Sequence, residues 1–171
     1  MEENINRVVL GIDPGTAILG YGVVRVKDER LEAIDYGVLT TPASLPLTAR
    51  LLSLFDGLLR IIDVTKPQEV AVEQLFFAKN VQSALAVGQA RGVALLAAAQ
   101  RGLYVCEYTP LQVKQAITGY GRATKQQIQK MVQVILGIPE VPQPDDAADA
   151  LAIAICHSQW NEQVEASRLS H

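Results

Sequence analysis

The sequence contains few of the residues on which specialised scaffolds depend. Only 5% of its 171 residues are aromatic, and its two cysteines, Cys106 and Cys156, lie 50 positions apart. That spacing argues against a disulfide framework and against a zinc site. No apolar run is longer than Val93–Ala99, which is far shorter than the roughly 18 residues of a membrane span. The acidic start at Met1–Asn4 lacks the positive charge of a secretory signal. We therefore expect a soluble, cytoplasmic protein without membrane association.

What the chain does contain suits one domain with an aliphatic core. Hydrophobic residues make up 49% of the sequence and charged residues 19%, which is typical of a folded domain. We expect a single domain over residues 1–160. Residues 161–171 lack periodic apolar positions, so we expect a disordered tail there.

Apolar periodicity predicts five strands and five helices in the order β-β-β-α-β-α-β-α-α-α. The predicted strands are 7–12, 20–26, 31–40, 69–73 and 103–109, and the predicted helices are 46–64, 80–100, 110–117, 124–136 and 145–157. Three successive strands favour an antiparallel meander, and strands that alternate with helices favour parallel crossovers. We expect an α/β fold with a five-stranded mixed sheet flanked by helices on both faces.

The charge of the chain is segregated along the sequence. The net charge is −3, but Gln74–Pro139 contains seven basic residues and one acid, for a net of +6, which leaves −9 for the remainder. A polyanion is bound by a local patch, so the segment is a candidate nucleic-acid surface. An ordinary solvated surface with a basic excess is the alternative.

Acidic residues occupy positions where a carboxylate is unexpected. Asp13 and Glu73 each end an apolar strand, and Asp146 and Asp149 lie three residues apart at the start of an alanine-rich helix. Because ligand sites gather at the carboxyl ends of strands, these acids are expected to converge. Crowded carboxylates repel each other, so the cluster implies a cation, and oxygen ligands without cysteine favour Mg²⁺ or Mn²⁺.

Each acid also has an ordinary explanation when taken alone. Asp13 precedes Pro-Gly and suits a turn, Glu73 suits a salt bridge, and Asp146 suits a helix start. Taken jointly, the four acids favour a metal site. Asp145 lies four residues before Asp149, so spacing alone does not decide between Asp145 and Asp146. His157 lies too far along the same helix to share an ion with Asp146 and is expected to be a surface or packing residue.

An ordered series of motifs resembles the RuvC family of Holliday junction resolvases, which are endonucleases with an RNase H-like fold. The resemblance runs from Val8 to about Ser158. It rests on Gly11-Ile-Asp-Pro-Gly-Thr16, Gly20-Tyr-Gly22, Ala71-Val-Glu-Gln-Leu-Phe-Phe-Ala-Lys-Asn80, Gly88-Gln-Ala-Arg-Gly92, Gln112-Val-Lys-Gln115 and Asp146-Ala-Ala-Asp-Ala-Leu-Ala-Ile-Ala154.

The resemblance implies roles for individual residues. The family's catalytic, metal-binding acids fall on four positions, which resolves the register in favour of Asp146 over Asp145: Asp13, Glu73, Asp146 and Asp149. The family's DNA-contacting lysines fall on Lys114 and Lys125, within the basic segment, and its junction-contacting aromatic falls on Phe76. We expect the neighbouring Phe77 to pack under the loop.

The implied activity is phosphodiester hydrolysis assisted by two Mg²⁺ ions, for which Mn²⁺ would substitute. The expected substrate is a four-way DNA junction. Because such a junction is roughly two-fold symmetric and one chain carries one acid cluster, we expect a homodimer that makes two paired nicks. The helix at 80–100 is apolar around its circumference over Val93–Ala99, so it is a candidate dimer contact, although burial between the sheet and another helix would also explain it. The resemblance further implies cooperation with the RuvA and RuvB branch-migration proteins.

Two other classes of protein share part of this pattern. Asp-x-Gly-Thr after a strand also occurs in sugar-kinase and actin-like ATPases, but those proteins need two such subdomains and this chain has room for one. A junction-binding module without activity would keep the basic segment, yet it would have no reason to collect four carboxylates against a polyanion.

Overall fold

The sheet and its helices are seen in a computed structural model that describes residues 6–74 and 80–169, with the backbone alone over 161–169. The strands are β1 (Arg7–Asp13), β2 (Ile18–Lys27), β3 (Arg30–Thr40), β4 (Glu69–Glu73) and β5 (Tyr104–Tyr108). The helices are α1 (Leu47–Thr65), α2 (Val81–Gln100), α3 (Pro110–Thr118), α4 (Lys125–Leu136) and α5 (Asp145–Leu169).

The five strands form one mixed sheet in the order β3-β2-β1-β4-β5. β1, β2 and β3 pair antiparallel, whereas β4 pairs parallel with both β1 and β5. Asp28 and Glu29 form the β2–β3 connection with positive φ angles of 48° and 63°, as a two-residue hairpin turn requires. The predicted mixed sheet is confirmed.

Helices cover both faces of the sheet. α1 and α2 pack on one face against residues such as Leu10 and Val70, and α3, α4 and α5 pack on the other against residues such as Val9 and Ala71. β1 is therefore buried on both sides, which explains its uninterrupted apolar sequence.

α2 is the only described helix whose length and apolar composition would suffice to cross a membrane. One stripe of α2 is fully buried in the core layer that it shares with α1, including Ala90, Ala94 and Ala97. Leu85 and Leu96 on the same helix are exposed. Burial in the core thus accounts for part of the apolar surface of α2.

α5 lies unusually close to β1 and β2 because glycines face it. A Cβ atom at Gly11 would lie 2.1 Å from the carbonyl oxygen of Ala150, and one at Gly20 would lie 2.0 Å from that of Asp146. At Gly22 it would lie 2.7 Å from the backbone nitrogen of Leu151. The helix backbone therefore rests directly on the strands, where no side chain fits.

α5 is longer than its apolar pattern indicates. The prediction ends the helix at residue 157 and expects disorder over 161–171, whereas the helical backbone continues to Leu169. Residues 158–169 contain no proline or glycine, and most of them are good helix formers. Each added residue contributes a further backbone hydrogen bond, so the helix extends past its buried face.

The close approach makes Gly11 intolerant of a side chain. Gly11→Ala places a methyl group against the backbone of Ala150, which has no rotamer by which to move away, so we expect a loss of at least about 1–3 kcal/mol in unfolding free energy. Gly92→Ala in α2 is the matched control, because nothing lies within 4 Å of its added Cβ, and it should gain up to about 1 kcal/mol. Urea unfolding measures both. Wild-type stability of Gly11→Ala would contradict the seating of α5 on β1.

Candidate active site

Two of the predicted acids end neighbouring parallel strands. Asp13 is the last residue of β1 and Glu73 the last of β4, and the preceding residues, Ile12 and Val72, are paired in register. Their carboxylates therefore leave the sheet side by side at its carboxyl edge. In open α/β sheets this edge is where ligands bind.

The other two acids reach the same edge on α5. Asp13 pairs with Gly20 across β1 and β2, and Gly20 is the residue on which the backbone of Asp146 rests. Asp149 follows one turn later on α5. The contact at Gly20 thus places the start of α5 next to the end of β1.

A cleft of about 260 Å³ opens between these elements. Its polar lining consists of three carboxylates and two lysines, namely Asp13, Glu73, Asp149, Lys114 and Lys125. Its apolar lining comes from α3, α4 and α5, namely Pro110, Val113, Ile128, Ala152 and Ile153. Asp146 does not line this cleft, but its charge acts on Asp13.

The carboxylates of the cleft are electrostatically strained. Burial, followed by the charges of Asp149, Glu73 and Asp146, raises the pKa of Asp13 from 3.8 to about 8. Burial also raises the pKa of Glu73 and of Asp149. In the absence of a cation the site therefore holds more negative charge than its surroundings neutralise.

The two lysines border the acids from α3 and α4. Capping boxes start both helices, with Thr109 and Gln112 at α3 and Thr124 and Gln127 at α4. In α3, the charge of Lys114 opposes the raised pKa of Glu73.

Lys125 is the first residue of α4, a position that the helix dipole disfavours for a cation. Carboxylates compensate, because its Nζ lies 3.5 Å from Asp149 Oδ2 and 3.3 Å from Asp145 Oδ2. Partial burial lowers the pKa of Lys125, but the charges of Asp149 and Asp145 outweigh it and leave that pKa raised.

Asp145 and Asp146 have different surroundings. Asp145 is exposed and accepts a hydrogen bond of 2.9 Å from Gln129 Nε2, in addition to its contact with Lys125. Asp146 is half-buried, and its charge raises the pKa of Asp13. Asp145 is therefore tied to α4 by Gln129 and Lys125, whereas the charge of Asp146 acts on Asp13.

The donor set fits a hard divalent cation. Carboxylate oxygens with no nearby thiolate or imidazole are ligands that Mg²⁺ and Mn²⁺ prefer. As the side chains stand, no three histidine, cysteine or acidic groups within residues 6–74 and 80–160 surround a common point. Asp149 instead lies against Lys125, as expected of a carboxylate that repels its neighbours.

The turn after Asp13 is held by residues that the sequence did not indicate. The hydroxyl of the buried Thr41 donates to the carbonyl of Thr16 at 2.5 Å and accepts from Arg50 Nε at 2.8 Å. Thr41 and Thr16 are 25 positions apart, so no local sequence motif predicts this contact. Phe76 and Phe77 lie outside the described residues, and their roles stay predictions.

Comparison with known proteins identifies relatives along nearly the whole chain. The family described as Crossover junction endodeoxyribonuclease RuvC matches residues 9–157. The protein of that name from Desulforamulus reducens is 59% identical over 154 residues, covering 90% of this chain and 94% of the relative.

Solved structures give the same result. RuvC of T. thermophilus, in complex with a Holliday junction substrate, superimposes with a TM-score of 0.88 at 40% identity, covering 92% of this chain and 96% of that one. The yeast mitochondrial Holliday junction resolvase Ydc2 shares the fold, with a TM-score of 0.66 at 16% identity, covering 94% of this chain and 82% of that one. These matches favour the endonuclease family over the sugar-kinase and actin-like alternative.

The raised pKa of Asp13 makes the metal-free protein less stable as pH rises. Between about pH 4 and pH 8 the folded state keeps a proton on Asp13 that the unfolded state releases, so stability falls across this window. Asp13→Asn removes the penalty, and we expect it to be more stable than wild type at pH 8 by on the order of a few kcal/mol.

Urea unfolding at pH 5 and pH 8 in the presence of a chelator measures this difference. Asp145→Asn is the control, because hydrogen bonds from Gln129 and Lys125 lower the pKa of Asp145, and its removal should give no such gain. An Asp13→Asn variant that is less stable than wild type at pH 8 would show that Asp13 is not strained.

Proposed function

Because the chain belongs to the RuvC family of crossover junction endodeoxyribonucleases, we propose that it is a structure-selective endonuclease that resolves Holliday junctions during recombination and repair. The observation that carries the proposal is the cleft, which places three carboxylates beside two lysines at the carboxyl edge of the sheet. Carboxylates repel the phosphates of DNA unless a cation binds between them, so carboxylates at a DNA-facing cleft indicate a metal site.

We assign the binding of divalent metal to Asp13, Glu73, Asp146 and Asp149. When two Mg²⁺ ions are bound, or Mn²⁺ in their place, they supply the Lewis acidity and the activated water for phosphodiester hydrolysis. Asp13 is the central ligand in this proposal, because the charges of the other three acids all act on it. The high pKa of Asp13 without metal means that its ionised carboxylate is destabilised, and a bound cation would stabilise that ionised form.

The chain's own residues orient the DNA strand at the cleft. Lys114 and Lys125 are within the basic segment, on the two helices that border the acids. We propose that both contact phosphates, which positions the backbone without reading bases. The apolar wall, including Val113 and Ile153, restricts water on the other side of the cleft. Phe76 is proposed to stack on a base exposed at the junction.

We propose that the acting species is a homodimer in the cytoplasm. The complex of T. thermophilus RuvC with a Holliday junction substrate supports a junction target, which is roughly two-fold symmetric, and the described residues of this chain supply one carboxylate-lined cleft for it. Exposed apolar residues on α2, Leu85 and Leu96 among them, make that helix the candidate contact. We also propose cooperation with RuvA and RuvB, which the resemblance to the RuvC family implies.

Amide substitutions of the acids test the chemistry. Asp13→Asn, Glu73→Gln, Asp146→Asn and Asp149→Asn should each reduce Mg²⁺-dependent cleavage of a labelled four-way junction at least on the order of a hundredfold. Junction binding should be retained or tighten, because negative charge leaves a DNA-facing surface. Asp145→Asn, on the neighbouring residue, is the control and should keep substantial activity. If any of the four variants cleaves at the wild-type rate, the residue that it replaces is not a metal ligand.

Lysine substitutions test the DNA contacts. Lys114→Ala and Lys125→Ala should weaken junction binding or cleavage, and where affinity falls the salt slope of binding should drop by about one for each phosphate that is no longer neutralised. Lys27→Ala is the matched control, since Lys27 ends β2 at the opposite end of the sheet from Asp13. If junction binding and cleavage are unchanged in both variants, the basic segment is an ordinary solvated surface and does not contact DNA.

A further inference from the structure

A buried hydrogen-bond network lies about halfway along α5, at the opposite ends of β1 and β4 from the acids. His157 is only 1% exposed, yet both of its ring nitrogens have partners. Its Nδ1 lies 2.7 Å from the Tyr108 hydroxyl, and its Nε2 lies 2.6 Å from Glu69 Oε2. The Tyr108 and His157 rings also meet edge to face, at 69° and 5.7 Å between centroids. The imidazole is therefore fixed in both position and orientation.

Arg7 extends the network to β1. Its Nη2 donates to the carbonyl oxygen of Ser158 at 2.6 Å, and its Nη1 lies 3.5 Å from Glu69 Oε2. The Tyr108 hydroxyl and the Glu69 carboxylate can each form a hydrogen bond with the imidazole nitrogen that they face. α5 is thereby tied to β1, β4 and β5 within two consecutive residues, His157 and Ser158.

Every element that carries an acid of the cleft also contributes to this network. β1 has Arg7 at its start and Asp13 at its end, and β4 has Glu69 at its start and Glu73 at its end. In α5, His157 lies eight residues after Asp149. The network thus joins all three elements by hydrogen bonds at a place away from the cleft.

The hydrogen bonds at His157 add directional contacts to the packing of α5 on the sheet. At Gly11 and Gly20 the strands meet the helix backbone, which sets how closely α5 approaches, and Leu151 packs over Gly22 without any directional contact. A shift of one residue along the axis would move Asp149 by about 1.5 Å, enough to misplace a metal ligand. Directional hydrogen bonds at His157, about 12 Å along a rigid helix from Asp149, oppose such sliding and rotation.

We propose that Tyr108, His157, Glu69 and Arg7 are positioning residues that set the axial register of α5 and thereby hold Asp146 and Asp149 in place for divalent-metal binding opposite Asp13. The inference rests on the proposed function in that it assigns metal binding to these acids. None of the four residues lines the cleft, so their effect is transmitted through the helix and strands.

Mn²⁺ titration of the DNA-free protein, followed by the electron paramagnetic resonance signal of free Mn²⁺, tests the proposal without relying on activity. Tyr108→Phe removes one hydroxyl and keeps the ring, and His157→Leu removes both hydrogen bonds. Both should weaken Mn²⁺ affinity on the order of tenfold, because a shifted α5 moves Asp146 and Asp149 out of ligand distance. His157→Gln, which can donate and accept, should recover part of the loss.

Val132→Ala is the matched control, because Val132 is fully buried in the same core layer but on α4 and outside the network. It should lower the unfolding temperature and leave Mn²⁺ affinity unchanged when measured well below that temperature. Wild-type Mn²⁺ affinity in folded Tyr108→Phe would overturn the proposal, and so would an equal loss in Val132→Ala. If His157→Leu does not fold, Tyr108→Phe decides the question.

Junction cleavage by the wild-type protein is measured separately. A wild-type protein that cuts no junction, while Tyr108→Phe still weakens Mn²⁺ binding, would overturn the proposed function and support the positioning role. Cleavage by wild type, with unchanged Mn²⁺ affinity in Tyr108→Phe, would support the function and overturn the positioning role.

Discussion

The direct contact between the backbone of α5 and the glycines of β1 and β2 is the constraint on which the rest of the site depends. Side chains at Gly11, Gly20 or Gly22 would hold the helix away from the sheet. With the helix seated, Asp146 rests on the residue paired with Asp13. Acids that are 133 and 136 positions from Asp13 in the sequence thereby join it at one sheet edge.

Concentrating negative charge in this way has an electrostatic consequence. Asp13 is half-buried near three other carboxylates, so its pKa is raised far above the usual value, and the charges of Lys114 and Lys125 relieve only part of the strain at the acids. In the proposed function the same lysines, which line the cleft, contact phosphates. Segregation of charge along the chain makes such contacts compatible with a net charge of −3.

Local sequence pattern predicted much of the fold and of the site. Strand and helix periodicity located all ten elements, and the strand-end positions of Asp13 and Glu73 placed them together, because parallel strands share an edge. Spacing alone did not separate Asp145 from Asp146, because their difference depends on Gln129 and Lys125 of α4.

The remaining features depend on long-range contacts that no local window contains. His157 was expected to be a surface or packing residue, and it is buried with partners 49 and 88 positions away. Gly20 and Gly22 were recognisable as part of a motif, but their physical purpose is visible only when α5 is in place. The apolar pattern ended the predicted helix at residue 157, whereas α5 continues to Leu169, beyond the residues that it buries.

Anomalous diffraction from crystals grown with Mn²⁺ tests most directly whether the seated α5 builds a metal site. We expect Mn²⁺ peaks within ligand distance of the carboxylates of Asp13, Glu73 and Asp149, with Asp146 next to them and Lys125 released from Asp149. Peaks elsewhere, or empty carboxylates at a Mn²⁺ concentration that supports junction cleavage, would contradict it.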